Sequence, residues 1–212
     1  MRNKKIVGAP SVRRLPSYLD IIRDYQQERE GVEYISGTRI ARELDLESIQ
    51  VRKDLTITGI VGRPKKGYRV DALVSAIERF LSWDTLQDTA LVGAGNLGSA
   101  ILGHREFALH GLNIVAAFDS NSRKIGTKVH GITIMSAAGM DIQIRNFGIK
   151  IAILTLPPEQ AQDAADILVR AGIEGIWNFT TKKLAVPDTV AVQNEDLSSG
   201  FALLCVKMRT RK

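Results

Sequence analysis

The spacing of apolar side chains divides the chain into two textures. In the first, Leu19, Ile22 and Tyr25 recur at i, i+3 and i+6, one face of a helix that opens at Leu15-Pro16-Ser17-Tyr18 and stops at Gly31. Ser36 is placed to cap a short second helix running to Leu44. Asp45-Leu46-Glu47 then makes a tight connection into a third helix, from Ser48 to Thr56, which turns Val51 and Leu55 inward. On this helix Gln50, Arg52, Lys53 and Asp54 point mainly elsewhere. Three helices with a three-residue turn before the last predict a helix-turn-helix. From Gly59 to Val70, the turn residues Gly62, Pro64 and Gly67 punctuate two short extended segments around a basic tip, the form of a wing. Asp71 to Trp83 predicts an amphipathic connector helix with Leu73, Ile77, Phe80 and Leu81 on its buried side.

From Thr89 the pattern changes to apolar runs alternating with helical stretches. Strands are predicted at Thr89–Val92, Asn113–Phe118, Ile149–Leu154, Ile173–Asn178 and Thr189–Val192, with helices at Leu97–Leu109 and Pro158–Ala171. Continuous Ile, Val, Leu and Ala runs joined by helical crossovers predict an α/β fold, a Rossmann-like doubly wound parallel sheet covered on both faces. Leu197 to Val206 forms a last, markedly apolar helix that needs a partner surface, either another subunit or its own sheet. The resulting division is 1–84 for the winged helix and connector, 85–194 for the sheet, and 195–212 for the terminal helix and tail.

Length changes this picture little, since 212 residues suit one large or two small domains. No apolar run approaches the roughly 20 residues that cross a bilayer. The basic start, Met1-Arg2-Asn3-Lys4-Lys5, is followed by too few apolar residues for a signal-peptide core, so a cytoplasmic location is expected. A single Cys205 and three histidines without ligand spacing predict neither disulfide nor metal site. Charge is more informative. Residues 1–70 carry 15 Lys and Arg against 9 Asp and Glu, whereas the other 142 carry 14 of each. All the net charge of +6 therefore lies at the end that would meet phosphate.

The chemistry of the second texture centres on Gly93-Ala94-Gly95-Asn96-Leu97-Gly98, a strand entering GxGxxG and then a helix. Gly93 permits the tight turn, Gly95 the close approach of pyrophosphate, and Gly98 close packing of helix on strand. Asp119 lies 21 residues beyond Gly98, where a carboxylate would accept hydrogen bonds from the adenosine ribose. That charge favours NAD(H) over a 2′-phosphorylated dinucleotide, while Lys124 and Arg123 nearby leave NADP(H) open. Thr155 and Pro157, after a later strand, are expected to border the nicotinamide half. No paired acid and base accompanies the turn, so the chain is not expected to be an enzyme; a small NAD-dependent oxidoreductase is the rival that turnover would reveal.

In the first texture, Arg52, Gln50 and Lys53 are the side chains suited to base edges and phosphates on duplex DNA. The wing adds Arg63, Lys65, Lys66 and Tyr68, and Arg13 and Arg14 precede the first helix. Ser36, Thr38 and Ser48, at the starts of the second and third helices, complete the candidate contacts.

At Gln50-Val51-Arg52-Lys53-Asp54-Leu55 the chain resembles the Rex family of redox-sensing transcriptional repressors. Arg14-Leu15-Pro16 with Tyr18, Leu91 through Gly98, Ala116-Ala117-Phe118-Asp119, and Ala161-Gln162 through Asn178-Phe179 extend the likeness over roughly residues 10 to 205. The resemblance implies a homodimer with a swapped C-terminal helix on a pseudo-palindromic operator, bound when NADH is low and released when it is high. It also implies coupling or dimer roles for His104, Phe107, Asp196, Leu197 and Phe201. The chain departs from the family pattern at several places. Thr56-Ile57-Thr58-Gly59 lacks two aromatics, Lys65 replaces a wing glycine, and Glu47 replaces a hydroxyl cap. His104 replaces a tyrosine, Trp177 an aliphatic residue and Glu195 an apolar one. A Rossmann half tuned to another nucleotide is the second reading, since Pro157 to Thr180 also resembles CoA-binding domains.

Overall fold

The computed structural model describes residues 8–29 and 31–210, the side chain of Leu197 excepted. The chain forms two compact units, 1–85 and 86–212.

The first unit contains α1 (Ala9–Glu28), β1 (Tyr34–Ile35), α2 (Gly37–Glu43), α3 (Ser48–Thr56), β2 (Tyr68–Arg69) and α4 (Val70–Leu81). Its core joins Leu15, Leu19 and Ile22 of α1 to Ile40, Val51, Leu55, Leu73 and Ile77, one inward stripe from each helix. Helix α1 starts six residues before the apolar stripe, with Pro10 in its first turn, where a missing N–H costs nothing. Ser36 caps α2 by accepting the Arg39 N–H at 3.1 Å. The wing is closed by reciprocal Arg63–Gly67 backbone bonds of 2.7 and 3.0 Å. Its second arm pairs antiparallel with β1 rather than with residues 59–62, so the expected pairing of its two arms is confined to this bridge. A Cβ on Gly67 would stand 2.2 Å from the Ile35 carbonyl oxygen, and this pairing therefore requires glycine. Phe80, expected inside, is 41% exposed on the outer edge of α4.

Asp54 does not point outward; its carboxylate is fully buried. It accepts from Ser11 Oγ (2.7 Å), Arg14 Nε and Nη2 (2.6 and 2.9 Å), Tyr18 Oη (2.5 Å) and Gln50 Nε2 (2.8 Å). Burial alone would raise the carboxyl's pKa, but the donors from Arg14, Ser11, Tyr18 and Gln50 outweigh it and hold it well below the usual range. Burial and the neighbouring anion push the Tyr18 phenol up in turn.

The second unit is a seven-stranded sheet in the order β5-β6-β4-β3-β7-β8-β9. Its strands are β3 (Gln87–Val92), β4 (Leu112–Asp119), β5 (Lys128–Val129), β6 (Ile132–Ser136), β7 (Ile151–Leu154), β8 (Gly175–Asn178) and β9 (Ala191–Asn194). All neighbours are parallel except β5 on β6. Alternate residues serve opposite faces. Ala90, Val92, Phe118 and Leu154 pack under α7 (Met140–Phe147) and α8 (Pro158–Ala171), whereas Leu91, Ala117 and Ile153 pack under α5 (Asn96–Gly103). Strands β5 and β6 and helix α7 escaped the sequence reading. The expected helix 97–109 is two, broken at His104 before α6 (Glu106–Leu109). Helix α9 (Leu197–Thr210) closes the chain.

Replacing Asp54 by Asn leaves the four donors facing a neutral amide and is expected to cost the first unit about 3 kcal/mol. Native-state hydrogen exchange of α1 and α3 amides measures this; a loss below about 0.5 kcal/mol would show that the cluster does not hold the unit. Because the folded pKa is depressed, the carboxylate's contribution is complete above its unfolded value of about 3.9 and is lost only as pH falls through the lower folded one. Acid titration of Arg14→Met should therefore show α1 and α3 opening at higher pH than in the unsubstituted chain.

Candidate functional site

In the second unit, the parallel order places the end of β3 between the ends of β4 and β7, where the crossovers diverge to opposite sides. Gly93 follows with φ +102°, and a Cβ there would meet the Thr155 carbonyl oxygen at 2.8 Å. A Cβ on Gly98 would meet the Gly93 carbonyl oxygen at 2.0 Å. Nothing lies within 4 Å of the Cβ position of Gly95. Two of the three glycines are thus enforced by packing, and the middle one faces open space beside the N-terminus of α5. Unpaired N–H groups and the positive dipole end make that space suited to an anion, so the turn fits a pyrophosphate. Thr155 pins the turn from β7: its hydroxyl donates to Gly93 O at 2.6 Å and its N–H to Val92 O at 3.0 Å. Asn96 and Leu97 lie exposed at the rim, and Pro157 caps the start of α8.

Asp119 ends β4 almost buried, at 8% exposure. It accepts the Ala94 N–H at 3.0 Å and the Asn121 N–H at 2.8 Å. Lys124 Nζ donates both to this carboxylate (3.1 Å) and to Ala94 O (3.0 Å). Burial works against the charge, but the Asn121 N–H, Lys124 and the Ala94 N–H keep the carboxyl below its ordinary range. Alongside lies a cavity of about 110 Å³ lined by Val92, Phe118, Met140, Leu156, Ala164 and Ile167 among others. Its apolar walls beside an ionised acid fit an adenine ring next to its ribose. These lining residues were missed because their apolar pattern is that of core; only their position at strand ends distinguishes them.

In the first unit, Ser36, Thr38, Arg52, Arg63, Lys65 and Tyr68 line one open groove of about 480 Å³ between α2, α3 and the wing. Lys53 and Arg13 are exposed, and Ser48 is half-buried at the start of α3. Arg63 and Lys66 lie over the Tyr34 ring at 5.6 and 5.4 Å, which draws the wing cations together. Lys65 has φ +63°, a conformation free to glycine but strained for a side chain. The guanidinium of Arg14 and the amide of Gln50 are engaged by Asp54, so neither stands free in this groove.

Elsewhere in the second unit, His104 stacks on Phe107 at 4.5 Å, Phe107 meets Trp177 edge-on at 5.7 Å, and Trp177 packs on Phe179 at 4.8 Å. The Trp177 indole N–H donates to Glu195 at 3.2 Å, so two departures from the family pattern are partners of each other. Asp196 caps α9, accepting from the N–H and hydroxyl of Ser198 at 2.9 and 2.6 Å. Phe201 is 69% exposed.

Gly98→Val should destabilise the second unit in thermal melts, whereas Gly95→Val should melt as the parent does; equal destabilisation would contradict the open space at Gly95. Lys65→Gly should stabilise the first unit by about 1 kcal/mol in urea unfolding, by relieving the left-handed strain.

Residues 7–56 match the family model described as "Putative DNA-binding protein N-terminus", and residues 84–182 match the CoA binding domain model. The redox-sensing transcriptional repressor Rex of Treponema denticola is 53% identical over 212 residues, covering 100% of both chains. The Rex of Bacteroides fragilis is 38% identical over 93% of this chain and 89% of its own. Among solved structures, RSP, a Rex-family repressor, superposes with a TM-score of 0.87 at 33% identity, over 98% of this chain and 96% of that one. RSP in complex with β-NAD⁺ and operator DNA gives 0.89 at 34%, over 98% and 95%. These relatives are regulators rather than enzymes. The chain belongs to the Rex family of redox-sensing transcriptional repressors.

Proposed function

We propose that this repressor grips operator DNA with its first unit and reads NAD(H) with its second, staying on DNA when NADH is low and leaving when NADH rises. The carrying observation is that one chain holds both a cationic groove floored by α3 and the wing, and a glycine turn whose only open glycine faces a helix N-terminus. Arg52 and Lys53 would meet base edges and phosphates, the wing residues Arg63, Lys65, Lys66 and Tyr68 the backbone, with Ser36, Thr38 and Ser48 beside them. Of the two arginines before the apolar stripe, Arg13 is exposed, and Arg14 instead positions α3 through Asp54. Gln50 keeps its amide oxygen as an acceptor while its nitrogen is engaged.

Gly93 through Gly98 would hold the pyrophosphate, Asp119 the adenosine ribose, and Thr155 and Pro157 the edge of the site. Lys124 offsets part of Asp119's charge and fixes the carboxylate beside the 2′-hydroxyl position of the ribose. The nicotinamide supplies the redox distinction; the chain responds only because its two redox forms bind the DNA-competent state with different affinity.

Helix α9 exposes Phe201, Leu203, Leu204, Val206 and Met208, each more than half accessible, a surface that requires a cover. A second copy supplies it in a swapped homodimer, with two winged helices on a pseudo-palindromic operator in the cytoplasm. Asp196 and Leu197 begin that arm, and His104 and Phe107 share an aromatic row with Trp177. The functional division is 1–84, 85–194 and 195–212.

Arg52→Ala should weaken specific operator binding at least tenfold, with NADH affinity unchanged, as read by fluorescence anisotropy and calorimetry at one salt concentration. Gly95→Val should bind operator normally yet stay bound as NADH is titrated at fixed NAD⁺. A parent chain that ignores NADH but binds CoA would overturn the redox reading in favour of another nucleotide.

A further inference from the structure

The outward face of α3 consists of Ile49, Arg52, Lys53 and Thr56, all exposed, while Val51, Asp54 and Leu55 face the core. At 100° per residue Ile49 falls near the middle of this outward face. It is 61% exposed, an apolar, β-branched side chain flanked at i+3 and i+4 by the two cations of the helix. A solvated helix face bearing phosphate-seeking charges gains nothing from isoleucine, which has poorer helix propensity than alanine or glutamine. It is also the second residue of α3, and the N-terminal residues of a recognition helix are those that reach base edges.

We propose that Ile49 is a specificity-determining residue that packs on the 5-methyl group of a thymine in the major groove. This rests on the DNA reading above. The major-groove edge of thymine carries one apolar group, its methyl, and an aliphatic side chain is its natural complement. Arg52 and Lys53 hold the helix by hydrogen bonds and charge, and Ile49 between them excludes water from the methyl. Cytosine at that position would leave Ile49 against a wet, methyl-free edge, so the contact selects T·A over C·G without a hydrogen bond.

The test uses the full chain and a duplex enriched by it from random sequence. Each thymine is replaced in turn by deoxyuridine, which removes the methyl and preserves the Watson–Crick edge. Replacement in one half-site should weaken the parent chain about fourfold, and replacement in both about fifteenfold. The same replacements should change Ile49→Ala by less than about twofold. Its exposed position leaves the Val51–Leu55 core intact, and hydrogen exchange of α3 confirms that the variant is folded. A parent chain indifferent to every deoxyuridine, or a variant that loses as much affinity as the parent, overturns the assignment while the DNA reading stands. Failure to enrich any duplex removes the DNA reading and the contact with it.

Discussion

A buried carboxylate with five donor contacts organises the DNA-facing unit. Asp54 lies on the inner face of α3, and its partners come from α1 and from the preceding turn of α3 itself. An isolated buried charge would be prohibitive, so each donor lost weakens the arrangement. That conditional character is what fixes the angle of α3: a rotation that would turn Arg52 away from the groove would also strip Asp54 of its partners. Hydrophobic contacts at Val51 and Leu55 provide adhesion, but adhesion alone tolerates sliding. The ionic hub does not.

The second unit solves a similar problem with glycine. Contact between the Gly93 carbonyl and the Gly98 backbone brings α5 so close to the sheet that no side chain fits between them, and Thr155 ties the turn to the neighbouring strand. Open space at Gly95 is the complement of that closeness. Asp119 is held by backbone N–H groups as well as by Lys124, so its orientation is settled by the end of β4 before any ligand arrives.

Much of this was legible in the sequence because periodicity and glycine spacing are local. The four helices of the first unit, the strand entering the glycine turn, and α8 all announce themselves through repeats a few residues long. What was not legible depended on contacts far apart in the chain. Asp54 and Ser11 are separated by 43 positions, and an aspartate between a lysine and a leucine on a helix looks like a solvated residue. For the same reason Arg14 and Gln50 resemble free polar groups until Asp54 is seen beneath them. Strands β5 and β6 were hidden by their brevity and by the tight turn between them, where His130 and Gly131 both take positive φ. Trp177 and Glu195 read separately as oddities; only the side-by-side pairing of β8 and β9 shows them to be one hydrogen bond.

The position of Trp177 carries a practical corollary. The chain has two tryptophans, Trp83 and Trp177, one in each compact unit. Each half is therefore furnished with its own native chromophore, and the one at 177 abuts both an aromatic row and a carboxylate whose negative charge perturbs the indole excited state. Light emitted by the molecule can consequently be apportioned between its halves by a single conservative replacement, without attaching a dye.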